Sequence, residues 1–428
     1  MPCSTSDLGQ ASPCCQADPQ SRAWVVLGVF VASQICLSVA GYGWGPVAPF
    51  FKALMDLSST QVGSISAAFY FTAAMSALPA GILIDRFGVK PGLLGWLGIT
   101  GVPLVVLWVL KPAFPMLVIL AGLSGAGYGI GNPMASKGLF LWFDRRLRGF
   151  VFGVKQSAVT IGAAMSGVLL VFLSGRLGPF GALGIIGVAV LVMILAAMIG
   201  YRDPLRPAAD LRDTSHRSPT RGRVRAGLGA CLTDRSFLVL SIVMALFGMT
   251  QGIVVSFLIL YASEELGYPL LRAGSFQTLV MISGAAGRVL WGVVSDRAFD
   301  AGRRPVMMMI AAVSVVTVAL LGIWNSAWPD WLFSIVLIGL GLSAAGWNSI
   351  ALVLATEISD PAITGTAVGV VSTVAWFGLA SGPVLFGAVT DLFGYCCAWM
   401  CLAAFCCAAF ILCLFLPARP AAVDGEPG

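Results

Sequence analysis

Residues 81–90 read GILIDRFGVK, and residues 292–304 read GVVSDRAFDAGRR. Each stretch ends an apolar run and places a glycine four residues before an Asp-Arg pair, with more basic residues behind it. A second correspondence runs at a constant spacing of 216 residues and relates Asn132, Gly149, Gly153 and Gly162 to Asn348, Gly365, Gly369 and Gly378. Such self-similarity at a fixed period predicts that the chain consists of two structural repeats.

The composition identifies the solvent around those repeats. Of 428 residues, 58% are hydrophobic and only 10% are charged, whereas about a quarter of the residues in a soluble domain are charged. Apolar stretches of about 20 residues, long enough to cross a bilayer as helices, recur along the chain. We place twelve spans near 24–49, 60–84, 91–110, 115–141, 149–174, 179–201, 237–262, 270–295, 304–324, 330–357, 364–390 and 394–417.

The basic residues predict the orientation of these spans. Most of the 25 Lys and Arg residues fall in the tails and even-numbered connections. Cytoplasmic loops carry such an excess, so we expect both termini in the cytoplasm. The net charge of +6 then reflects topology and needs no nucleic-acid partner. The predicted domains are a flexible cytoplasmic tail at 1–23, six-helix bundles at 24–201 and 237–417, a cytoplasmic linker at 202–236, and a cytoplasmic tail at 418–428.

The GILIDRFGVK stretch resembles the cytoplasmic loop signature of the major facilitator superfamily, and the altered copy stands where the pseudo-symmetry of that fold puts it. The resemblance covers residues 22–417. It implies an all-α integral membrane protein with twelve transmembrane helices in two pseudo-symmetric six-helix bundles. It also implies a secondary transporter with alternating access. We expect a functional monomer in the bacterial inner membrane, in contact with the lipid bilayer.

By the same resemblance, the signature forms a latch on the cytoplasmic side. Gly81 allows close helix packing, and Asp85 accepts hydrogen bonds from a neighbouring helix and pairs with Arg86 or Arg148. Asp296 and Arg297 have this role in the other half. The alternative is that these charges only mark the membrane boundary. Gly382 and Pro383 resemble the pattern that kinks a helix in proton-coupled antiporters, although there it belongs to the fifth span; a close-packing point is the other interpretation.

Three cations lie inside predicted spans: Lys137, Lys155 and Arg288. A charged side chain at a helix centre costs roughly 2.5–3.5 kcal/mol even on lenient insertion scales. No Asp or Glu lies at comparable depth, so the sequence predicts a water-filled cavity in which an anionic substrate supplies the missing charge. Each cation also has a structural alternative, and Lys137 in particular is able to snorkel to the inner surface.

Arg288 is the strongest candidate of the three. Oxalate/formate exchangers, monocarboxylate transporters and nitrate/nitrite porters are similar here, with an anion-binding Arg in the eighth span, and we expect Lys155 to be its partner. The chain departs from those families, because it has no Arg in the second span and no Lys in the eleventh. Gln34 and Gln251 stand in the spans where organophosphate exchangers use Arg. The remaining predicted pocket residues are Tyr42, Tyr70, Asn132, Gln156, Gln277, Asn348 and Trp376.

These features predict a secondary transporter for a small organic anion, a mono- or dicarboxylate, by anion exchange or proton-linked transport. The alternative is an exporter of a neutral or hydrophobic compound, in which the buried cations are structural. No catalytic set, metal-ligand cluster or phosphate loop occurs in the sequence, and its one His lies in the linker. We therefore expect neither enzymatic activity nor a cofactor or metal site.

Overall fold

The computed structural model describes residues 19–143, 145–202, 234–299, 302–325, 327–359 and 364–417, and these ranges contain helices and no strand. The helices of the first half are α1 (Pro19–Gly41), α2 (Trp44–Met55), α3 (Ser59–Phe87), α4 (Val89–Leu110), α5 (Phe114–Gly129), α6 (Gly131–Trp142) and α7 (Arg145–Gly200). Those of the second half are α8 (Arg235–Glu264), α9 (Leu270–Ala298), α10 (Arg303–Gly322), α11 (Asp330–Ala344), α12 (Asn348–Ile358) and α13 (Thr364–Cys413). Most of the predicted tails and linker lies outside the described residues.

Eight helical segments of the described chain are long and apolar enough to cross a membrane. Two of them, Val151–Gly200 and Ala367–Cys413, are 50 and 47 residues long, about twice the 20 residues that one crossing needs. α7 is interrupted at Gly178 (φ 72°) and α13 at Gly394 (φ 78°), a left-handed conformation that suits glycine. Each of these long elements therefore consists of two helices. The number of twelve crossings and the cytoplasmic termini stay predictions.

The helices pack mainly within their own half of the chain. In the first half α1 and α4 contact α7, and α3 and α4 contact α5; in the second half α8 and α10 contact α13, and α9 contacts α11. The main helix pairs that join the halves are α3 with α13, α7 with α9, and α2 with α8. The space between the halves is therefore bounded by these pairs.

Glycines set the closest of these contacts, as expected where lipid supplies no hydrophobic force between helices. A Cβ at Gly162 in α7 would lie 2.5 Å from the Ile35 carbonyl oxygen of α1. Its repeat mate Gly378 in α13 faces the Ala245 carbonyl of α8 in the same way. The spacing of 216 residues found in the sequence thus corresponds to equivalent packing positions in the two halves.

Gly382 and Pro383 lie at a close-packing point between helices, and the kink itself stays a prediction. α13 keeps helical dihedral angles through both residues, and its non-helical residue is Gly394. Gly382 faces Met249 of α8, while the Pro383 carbonyl faces Gly63 of α3. This part of α13 therefore contacts both halves of the protein.

We expect Gly378→Val to destabilise the fold by about 1–3 kcal/mol, because the added carbons overlap the α8 backbone. The same helix provides a matched control, since a Cβ at Gly369 has nothing within 4 Å. The Gly369→Val protein should therefore unfold at a temperature close to that of the wild type. Thermal unfolding of the purified proteins in one detergent measures the difference. Equal melting temperatures for the two variants would contradict the packing role of Gly378.

Candidate functional site

Arg288 lies half-buried in α9, between the two halves. Its Nε donates a hydrogen bond to the Ala345 carbonyl at 3.2 Å, and its own carbonyl accepts one from the Ser349 hydroxyl at 3.0 Å. Among the described residues, no carboxylate forms an ion pair with Arg288. An arginine side chain has five N–H donors, and the hydrogen bonds described for this one use a single donor.

Two further predicted residues lie beside Arg288. Tyr42, between α1 and α2, and Gln251 of α8 line one small cavity with it, of about 10 Å³. The Gln251 Oε1 atom accepts a hydrogen bond from the indole of the buried Trp347 at 3.2 Å, which fixes the orientation of the amide. A cation, a phenol and an amide from both halves therefore converge on one point.

A larger cavity of about 710 Å³ opens beside this point, between α7 and α9. Gln156 lines it, and Thr160, Ala285 and Arg288 line both the large and the small cavity. Thr160 is a lining residue that the sequence analysis did not select. Its position one helical turn after Gln156 is the signal that places both side chains on one face.

Aromatic rings from both halves form a second predicted group. The Trp376 ring of α13 lies 6.1 Å from the Tyr70 ring of α3 and 6.3 Å from the Tyr128 ring of α5. The Tyr70 hydroxyl donates a hydrogen bond to the Gly41 carbonyl at 3.3 Å, next to Tyr42. Sequence reasoning missed Tyr128, which stands in the glycine-rich end of α5.

Neither of the two lysines lines a cavity with Arg288. Lys137 of α6 donates from Nζ to the Ile84 carbonyl of α3 at 2.9 Å, so its ammonium lies at the end of a neighbouring helix. Lys155 of α7 is only 4% exposed and is absent from the linings of both cavities, whereas its neighbour Gln156 lines the larger one. Lys155 therefore lines neither cavity of Arg288, and the pair of Lys155 with Arg288 stays a prediction.

The other pocket candidates whose side chains are described, Gln34, Asn348 and Gln277, line neither cavity. Gln34 of α1 donates from Nε2 to the Ser38 hydroxyl at 3.0 Å, and Asn348 is the half-buried first residue of α12. Gln277 of α9 is 0% exposed, and neither atom of its amide has a hydrogen-bond partner among the described residues. The side chain of Asn132 lies outside the described residues.

The family model described as Major Facilitator Superfamily matches residues 30–301 and 278–428. The chain belongs to the major facilitator superfamily. It is therefore a multi-pass membrane transport protein and not an enzyme. The resemblance of the GILIDRFGVK loop to the signature of this superfamily is confirmed.

Relatives within the superfamily handle anions according to their names. The chain is 24% identical to a probable sulfoacetate transporter of Cupriavidus necator over 384 residues, which are 86% of this chain and 88% of the relative. It is 24% identical to a probable hexose phosphate transport protein of Chlamydia pneumoniae over 392 residues, with 86% and 85% covered. The solved nucleoside transporter NupG, in a variant form, has the same fold, with a TM-score of 0.76, 16% identity and coverage of 91% and 99%.

The superfamily loop signature is described in part. The surroundings of Gly81 and the side chains of Asp85 and Arg148 lie outside the described residues, so their latch stays a prediction. Arg86 is exposed, and its guanidinium covers the Phe87 ring. In the second copy Asp296 pairs with Arg303 at 2.6 Å, and Arg303 pairs with Glu357 at 3.0 Å. Asp296 thus belongs to an ion-pair network that joins α9, α10 and α12, while Arg297 is exposed, and the latch role of both residues stays a prediction.

A polar network that sequence reasoning missed joins the halves at the end predicted to face outside. Asp391 of α13 accepts hydrogen bonds from the Ser59 and Thr60 amides at 2.7 and 2.8 Å and from the Thr60 hydroxyl at 2.6 Å. A carboxylate there also complements the positive end of the α3 dipole. Lys52 of α2 pairs with Glu264 of α8 at 2.7 Å, so the halves are tied at this end.

We expect Asp391→Asn to weaken this closure by about 1 kcal/mol, the usual contribution of a charge at a helix N-terminus, and to raise the population opened at this end about fivefold. Electron-spin distance measurements between labels on Leu54→Cys and Phe393→Cys, with the other exposed cysteines replaced, report the separation of the halves. The control is Asp330→Asn, because Asp330 pairs with Arg272 inside one half. An unchanged distance distribution in Asp391→Asn would show that the network does not hold the halves together.

Proposed function

We propose that this protein is a secondary transporter for a small organic anion, and that Arg288 binds the anionic group. The observation that carries the proposal is the position of Arg288 on a cavity shared by the two halves, beside Tyr42 and Gln251 and without a described carboxylate partner. A guanidinium in such a place holds a carboxylate or sulfonate by two parallel hydrogen bonds. The substrate then supplies the counter-charge that the spans lack.

The relatives support an anion and broaden its class. Their names specify a sulfoacetate and a hexose phosphate transporter, so the predicted mono- and dicarboxylates are extended to sulfonates. The chain has Gln34 and Gln251 in the spans where organophosphate exchangers use Arg, which favours a carboxylate or sulfonate over a phosphate ester. Since no acid lies in the interior of the predicted spans, we propose anion exchange or co-transport of a proton with the substrate, by alternating access in the bacterial inner membrane.

Export of a neutral or hydrophobic compound is the second candidate. The apolar lining of the larger cavity favours it, because Ile161, Met165 and Ile282 supply much of the wall. In that case Arg288 serves the structure through its hydrogen bond to Ala345. The two candidates differ in whether neutralising Arg288 changes the transport of anions.

Counterflow in proteoliposomes tests the proposal against a panel of carboxylates, sulfonates and lipophilic drugs. We expect Arg288→Gln to reduce anion uptake at least about tenfold, since a lost charge-assisted hydrogen bond contributes roughly 1.5–3 kcal/mol, and Arg288→Lys to recover part of it. Lys155→Gln should have the smaller effect, because Lys155 lines neither cavity.

Arg272→Gln is the control, since Arg272 lies outside both cavities and pairs with Asp330. Normal anion uptake by Arg288→Gln, or no anion uptake by the wild type, contradicts the proposal. Uptake of drugs alone supports the export alternative. Anion binding without flux would instead indicate a sensor.

A further inference from the structure

The larger cavity exists because α7 and α9 touch along only part of their length. The Thr278 hydroxyl of α9 donates a hydrogen bond to the Ala164 carbonyl of α7 at 2.6 Å. Nearby, a Cβ at Gly167 would lie 2.5 Å from the Gly274 carbonyl oxygen, so the two backbones are in close contact. Alongside these contacts, side chains from Gly153 to Val168 of α7 and from Thr278 to Val289 of α9 line the cleft of about 710 Å³.

The cleft opens sideways, towards the hydrocarbon of the bilayer. Its lining residues come only from α7 and α9, the two helices whose contact joins the halves on this side of the molecule. Most of its exposed side chains are apolar and lie within apolar spans: Ile161 is 48% exposed, Met165 45%, Ile282 56% and Val289 70%. Such residues face lipid tails in a membrane protein, so the mouth of the cleft is continuous with lipid.

The inner end of the cleft has the opposite character. The half-buried Thr160 and Arg288 supply polar groups there and also line the small cavity beside Tyr42, whereas the polar lining residues Gln156 and Ser157 are exposed. The lining residues run from Gly153 to Val168 along α7, about 22 Å at 1.5 Å per residue. One continuous space therefore offers a cation at its inner end and an apolar trough along its length.

A space with one charged end and one apolar body fits a ligand with the same division. A free inorganic or very small anion would contact Arg288 and leave the trough unused, whereas a neutral hydrophobic compound would leave the guanidinium without a counter-charge. An alkyl chain that carries a single anionic group satisfies both regions. Its charged group lies at Arg288, and its chain lies between the α7 and α9 rims.

We infer that the substrate is an amphiphilic anion, an alkyl carboxylate or sulfonate, and that it reaches Arg288 from the bilayer through the cleft between α7 and α9. This inference rests on the proposed function, because it uses the same arginine, and it adds the tail of the substrate and its route. The cleft is then a specificity-determining surface for chain length.

The test compares counterflow of ethanesulfonate, hexanesulfonate and decanesulfonate in proteoliposomes. Sulfonates stay ionised at every working pH, so no neutral form leaks through the membrane. We expect the wild type to take up decanesulfonate faster than ethanesulfonate at equal concentrations. Met165→Gln, which places an amide in the trough with little change of shape, should lower the ratio of the two rates at least about tenfold.

Two control variants distinguish a contact between Met165 and the substrate tail from a general loss of transport activity. Met165→Leu keeps the trough apolar and should keep the wild-type ratio. Met75→Gln changes a methionine on α3 that is equally exposed, 48% against 45% for Met165, and that lines neither cavity, so it should also keep that ratio.

Uptake of ethanesulfonate without any gain from the longer chain overturns the cleft inference and leaves the anion proposal standing. Equal ratios in Met165→Gln and Met75→Gln also overturn it and indicate that a membrane lipid tail merely fills the cleft. If the wild type takes up no anion of any chain length, both the cleft inference and the proposed function fail.

Discussion

The hydrogen bond from the Thr278 hydroxyl to the Ala164 carbonyl marks where the two halves part. In a bilayer, helices associate through close backbone contact and polar bonds, since lipid is as apolar as their side chains. The described cross-half polar contacts of this kind, at Thr278, Asp391 and Lys52, lie towards the end predicted to face outside. Both cavities lie between the halves, and Arg288 lines both of them.

The sequence was sufficient for the class of fold, and it singled out Arg288, whose role as a site residue stays a proposal. The repeat spacing and the loop signature predicted the superfamily, which the family match confirms. Arg288 could be selected because a guanidinium inside an apolar span needs compensation and the spans contain no acid. Its neighbours Tyr42 and Gln251 were also predicted, because polar side chains are rare in these helices; whether they bind substrate stays a prediction.

The side of a helix that a cation occupies was harder to predict. α7 is apolar nearly all round, so its sequence does not distinguish the face of Lys155 from the face of Gln156. Lys137 ends on the Ile84 carbonyl, a partner in another helix that the sequence does not indicate. Asp391 resembles any acid that marks a membrane boundary, and its partners at Ser59 and Thr60 lie more than 330 residues away.

The buried amide of Gln277 affects the free energy of the closed contact between α7 and α9, and thereby the transport cycle. Its fully buried amide lacks a described partner in the closed contact between α7 and α9, and an unmade hydrogen bond of this kind costs about 1–3 kcal/mol. Separation of the two helices lets water reach the amide and recovers that energy. The closed contact is thus held above its lowest attainable free energy. A transporter with this arrangement avoids becoming trapped in one conformation, because a close contact between its halves contains a buried group that gains hydrogen bonds when the contact opens.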